Sequence, residues 1–124
     1  MKIYLQPISI LNTNLIILCC KTNREANKLI QSFKEVHKDI KQDLKDIDIE
    51  ETNGKVFYYI GTKQPLLLFM KDTKRDWKFW ETLIHELNHI VYYIMLSIEC
   101  KYETEFQARL QEMLFREIRL KLQG

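Results

Sequence analysis

The chain has 124 residues, enough for one domain with its own apolar core and no need of disulfide staples. Hydrophobic residues make up 46% and charged residues 29%, and the formal net charge is +2, so there is no strong basic field of the kind that binds nucleic acid. No stretch reaches the ~18 apolar residues of a membrane span. The three cysteines, an adjacent pair (Cys19, Cys20) and a distant Cys100, make neither a disulfide framework nor a CxxC zinc element.

Near the N-terminus, Pro7, Asn12 and Asn14 interrupt what would be the apolar region of a signal peptide, and no small-x-small cleavage site follows. With the odd cysteine count, this places the chain in the cytoplasm as an expectation.

The elements follow in chain order as one domain over residues 1–124. Lys2 to Ile10 alternates loosely and carries Pro7, which suits an edge strand. Leu15 to Cys20 is a short apolar run, hence a buried strand. Asn23 stands where a helix N-cap belongs. Ala26, Leu29, Ile30, Phe33, Val36, Ile40, Leu44 and Ile47 then recur at helical spacing and predict one long amphipathic helix. Asn53-Gly54 signals a turn. Lys55 to Ile60 reads as a strand from its aromatic and β-branched content, and Leu66 to Met70 as a second apolar one. Asp76 caps a helix from about Trp77 to Ser97. A last helix runs from about Glu105 to Leu122, with Thr104 and Gln107 spaced as a capping box. The order β-β-α-β-β-α-α gives an α+β fold with a small mixed or antiparallel sheet.

Chemistry concentrates in His85-Glu86-Leu87-Asn88-His89, an HExxH sequence inside the Trp77 helix. Residues i and i+4 share a helix face, so His85 and His89 can converge on one ion. Glu86 is turned by about 100° from His85. It can therefore stand beside the metal without ligating it and serve as general base. Leu83, Leu87, Ile90, Val91 and Ile94 form the apolar stripe of the same helix. Trp77, Phe79 and Trp80 precede the motif and read as anchors of the helix start.

A catalytic zinc ion (Zn2+) takes three protein ligands and leaves one position open. No third His follows the motif. The remaining one, His37, lies on the charged face of the long helix and reads as solvated. The third ligand should then be a carboxylate: Glu99, Glu103, Glu105 or Glu112. His89 lies about 12 Å from its helix end, and the segment 98–102 spans roughly 15 Å when extended. That return brings the first turn of the next helix beside His89, which favours Glu105, with Glu103 in reserve. Glu112 is then a hydrogen-bond acceptor behind a histidine.

These residues resemble a zincin metallopeptidase of the gluzincin type, in which a Glu on a later helix completes the HExxH ligand set. Glu105-Phe106-Gln107-Ala108 is similar to the ExxA element of small members. The likeness is to short phage- and prophage-encoded HExxH proteins and covers mainly Trp77 to Leu122. The interval of fifteen residues between His89 and Glu105 is shorter than in thermolysin-like enzymes. The resemblance implies a minimal zincin-like domain, bound zinc, a peptide or protein substrate, and peptide-bond hydrolysis with Glu86 activating the water. It also implies an oxyanion donor, for which Tyr92, Tyr93 and Tyr102 are available. The alternative is a non-catalytic zinc-binding protein or a phage accessory or assembly protein with a structural or vestigial site. Neither a nucleic acid nor a membrane is expected as partner.

Overall fold

A computed structural model describes residues 2–58, 65–98 and 104–123. The fold is α+β, with a four-stranded mixed sheet and four helices among the described residues. The chain forms two compact units, Met1–Lys74 and Arg75–Gly124.

The first unit holds the sheet. Strands β1 (Lys2–Ile8), β2 (Thr13–Cys20), β3 (Gly54–Phe57) and β4 (Leu66–Lys71) stand in the order β1-β2-β4-β3. β1 pairs antiparallel with β2 and β3 antiparallel with β4, while β2 and β4 run parallel with Leu15 opposite Leu66. Pro7 lies on the outermost strand, where a missing N–H costs no ladder bond on the open side. The two central strands are continuous apolar runs because both their faces are buried, and every residue from Leu15 to Cys20 and from Leu66 to Met70 is out of solvent.

One sheet face, carrying Ile16, Leu18, Cys20, Leu67 and Phe69, packs with Ala26, Ile30, Ile40 and Leu44. Those four belong to two helices, α1 (Asn23–Gln31) and α2 (Lys38–Asp46), where the apolar spacing predicts one. Ser32 ends α1. Its hydroxyl and its N–H both turn back to the Leu29 carbonyl, the local bonding by which Ser competes with a helical ladder. The periodicity runs through the break because Phe33 and Val36 still face the core.

Two further expectations are corrected. Thr22, not Asn23, caps α1 by accepting the Glu25 N–H. Asn23 instead donates to the Ile47 carbonyl at 2.6 Å and accepts the Ile49 N–H at 3.0 Å, which clips the start of α1 to the chain after α2. His37 is no solvated mid-helix residue: it is the N-cap of α2, its Nδ1 accepting the Asp39 N–H at 3.1 Å.

Strand ends shift as well. β1 stops at Ile8, and Ser9–Leu11 form a 3-10 turn closed by Asn12 in the left-handed region at φ 52°, which Asn tolerates better than most residues. β3 begins at Gly54 and ends at Phe57, and residues 59–60 of the expected strand lie outside the described residues.

Candidate metal centre

The second unit is a pair of helices, α3 (Trp77–Ser97) and α4 (Thr104–Gln123). Asp76 starts α3 by accepting the Phe79 N–H at 3.1 Å, as its position predicts. Leu83, Leu87, Ile90, Val91 and Ile94 are fully buried along one side of α3, and Leu110, Leu114, Ile118 and Leu122 are buried along one side of α4. Trp80 meets Phe115 edge to face at 6.5 Å, and the Arg119 guanidinium lies 5.3 Å from the Trp80 ring centre. Arg75 donates from Nε to the Leu122 carbonyl at 2.9 Å and covers the Phe79 ring, so the beginning of α3 holds the end of α4.

The HExxH residues occupy the middle of α3. His85 and His89, one turn apart, point outward, and the His85 side chain is 70% exposed. Their rings stand edge to face with centres 5.1 Å apart. Two imidazoles sharing one tetrahedral ion at ordinary zinc–nitrogen distances have centres about 5 Å apart. The ring-centre spacing of the pair equals that value. Glu86 turns the other way. It is one of only two buried polar or charged residues among the described ones, the other being Gln6. Its carboxylate still reaches back toward the histidines, with Oε1 4.0 Å from Nε2 of His85. A buried carboxylate 4.0 Å from an exposed imidazole can exchange a proton with water bound next to it.

The remaining expected residues are placed as follows. Glu105 is in the first turn of α4, where a carboxylate suits the helix dipole. It is 71% exposed and takes the Arg109 Nε at 2.9 Å. Glu112 is exposed on α4. Glu99, Glu103, Cys100 and Tyr102 lie outside the described residues. Among the described residues no group of three or more His, Cys, Asp or Glu side chains is disposed to hold a metal. The structure thus brings together His85, His89 and Glu86, and leaves Glu105 on its own arginine.

Of the tyrosines, Tyr93 is buried and Tyr92 is exposed on the histidine side of α3. Phe79 and Trp80 do anchor the start of the helix, meeting edge to face at 5.0 Å. Trp77 does not: it is 67% exposed. An exposed apolar set along α3 (Trp77, Ile84, Tyr92, Leu96) is the feature that residue-by-residue reading misses. Tyr92 and Leu96 fall with residues 85 and 89 within one narrow face of a 3.6-residue helix, whereas Trp77 and Ile84 lie about 100° round it. No described helix is long and apolar enough to cross a membrane. Comparison with known protein families, with curated proteins and with solved structures finds no match to this chain.

Proposed function

We propose that this protein is a zinc-dependent metallopeptidase of minimal zincin-like design, acting in the cytoplasm on a peptide or protein substrate. The observation that carries this reading is the disposition of three neighbouring side chains on α3: two outward imidazoles with ring centres 5.1 Å apart and one buried carboxylate beside His85. His85 and His89 would hold the ion, with Glu105 as third ligand. Its bond to Arg109 is an exposed i,i+4 pair, worth about 0.3–0.5 kcal/mol, and is no obstacle to recruitment by a cation. When bound, zinc polarises a scissile carbonyl and acidifies the water it carries.

The protein's own residues supply the rest. Glu86 takes the proton of the attacking water and later delivers it to the departing amine. Burial takes its carboxylate largely out of bulk water, 4.0 Å from His85. Tyr92 is on the right face to donate to a developing oxyanion, and burial removes Tyr93 from that role.

The test is Glu86→Gln, a substitution of equal shape with no basic oxygen pair. It should keep zinc affinity and lower peptide hydrolysis by about 10²–10⁴-fold, read by mass spectrometry on a peptide library. Equal hydrolysis by the variant defeats the proposal. One observation favours a second reading, a non-catalytic zinc-binding or phage-type accessory protein: among the described residues Glu105 is not gathered with the histidines. Zinc bound without any hydrolysis by the parent chain supports that second reading.

A further inference from the structure

Asn53-Gly54 takes no part in the histidine site, and its setting at the edge of the sheet gives it a chemistry of its own. Gly54 opens β3, the last strand in the order β1-β2-β4-β3. The Lys71 N–H donates to the Asn53 carbonyl at 3.0 Å, so these two residues face each other as a hydrogen-bonded pair. Antiparallel pairs alternate in kind. Gly54, opposite Met70, therefore holds a non-hydrogen-bonded position, and its N–H points away from β4. On that side no further strand of the sheet lies among the described residues.

The neighbouring side chain completes the arrangement. Asn53 is exposed, so its amide meets water. Glycine carries no Cβ to shield its nitrogen. Of the six asparagines in the chain, Asn53 alone precedes a glycine. Asn12 precedes the β-branched Thr13, and Asn14 the buried Leu15. Asn23, Asn27 and Asn88 are helical, and the Asn23 amide is held through both its nitrogen and its oxygen.

We infer that Asn53 is a site of spontaneous deamidation that passes through a succinimide and loosens the start of β3. The Gly54 nitrogen gives its proton to solvent and attacks Cγ of Asn53. A C–N bond closes the ring, and the side-chain amide nitrogen takes up a proton and leaves as ammonia. Water then adds to one of the two ring carbonyls. Opening at Cγ gives aspartate. Opening at the main-chain carbonyl gives isoaspartate, whose backbone runs on through Cγ. No electron changes hands.

The fold sets both the rate and the consequence. Ring closure must turn the Asn53 carbonyl away from Lys71, which breaks one bond at the end of an edge ladder. A single such bond slows the reaction by no more than about tenfold. Isoaspartate lengthens the main chain by one methylene at that same rung. The carbonyl then no longer meets the Lys71 N–H, and the new carboxylate forms across from the lysine. This inference is independent of zinc.

The experiment incubates the full chain at mildly alkaline pH, folded and in urea, and follows it by charge separation and peptide mapping. The expected result is a form whose net charge has fallen from +2 to +1, with the change confined to residue 53 and isoaspartate in the majority. The folded chain should convert within about tenfold of the unfolded rate. Gly54→Ala and Asn53→Gln should each slow conversion at least about tenfold. In the isoaspartate form, amide exchange at Lys71 should rise at least about tenfold while Leu68 stays protected. Conversion in urea but none in the folded chain overturns the inference, as does conversion spread over the other asparagines. A parental rate in Gly54→Ala overturns the succinimide route. Unchanged exchange at Lys71 overturns the loosening of β3.

Discussion

Cys20 shows how burial sets residue chemistry in this protein. It is fully out of solvent on the sheet face beneath α1 and α2. Burial first, and then the Glu25 carboxylate and the neighbouring Cys19, push its thiol from 9.0 up to about 12. A thiol held neutral is a poor nucleophile. Cys20 should therefore resist a thiol reagent at neutral pH, as should the equally buried Cys19, and both should react once the chain is unfolded in urea. Rapid labelling of either residue in the native protein contradicts this. The same shift has a sign for stability. The native state keeps the Cys20 proton between pH 9 and about 12 while the unfolded chain has lost it. Stability from this group is complete below pH 9 and falls above it, by about 1.4 kcal/mol for each pH unit until the native thiol ionises. Urea midpoints from pH 8 to pH 11 measure that slope, and Cys20→Ala should flatten it.

The sequence was most readable in its elements where local chemistry and tertiary packing agree. Asp76, the apolar stripe of α3 and the two central strands all follow from cap chemistry and period. The helix break at Ser32 was hidden because Phe33 and Val36 keep the apolar spacing while the backbone leaves the helix. Asn23 misled for a related reason: Asn is a good cap, but its side chain serves a long-range clip to Ile47 and Ile49. That contact spans more than twenty residues and has no local signature. The two roles separate by substitution. Thr22→Ala removes only a cap and should cost about 1 kcal/mol. Asn23→Ala leaves a backbone carbonyl and an N–H without their partner and should cost more, about 2–3 kcal/mol. Chemical denaturation of both variants checks the order, and a larger loss in Thr22→Ala reverses the assignment. In the second unit, Arg75→Ala should fray the end of α4, raising amide exchange near Leu122 while leaving exchange at Leu110 unchanged.

For the whole molecule, the α+β class was legible because the apolar runs and helical periods are strong, and the sheet order was not, because a continuous apolar run marks a doubly buried strand without naming its partner, here β2 beside β4. Fully apolar strands do signal burial of both faces, and that holds here. Phe69, central in β4 and completely buried, should lose about 3–5 kcal/mol as Phe69→Ala, enough to threaten folding of a chain this small. Thermal unfolding reads that loss directly. The site divides in the same way. The HExxH spacing put His85 and His89 on one exposed face of α3, since a helix converts i and i+4 into one face. The third ligand depends on how α4 approaches, which no spacing rule fixes.

The central claim is that His85 and His89 jointly bind zinc, and calorimetric titration of the metal-free protein with zinc tests it most directly. Saturable binding in the parent chain, retained in Glu86→Gln and lost in both His85→Ala and His89→Ala, is the predicted result. Undiminished binding in either histidine variant, or no binding heat in the parent chain, would contradict it.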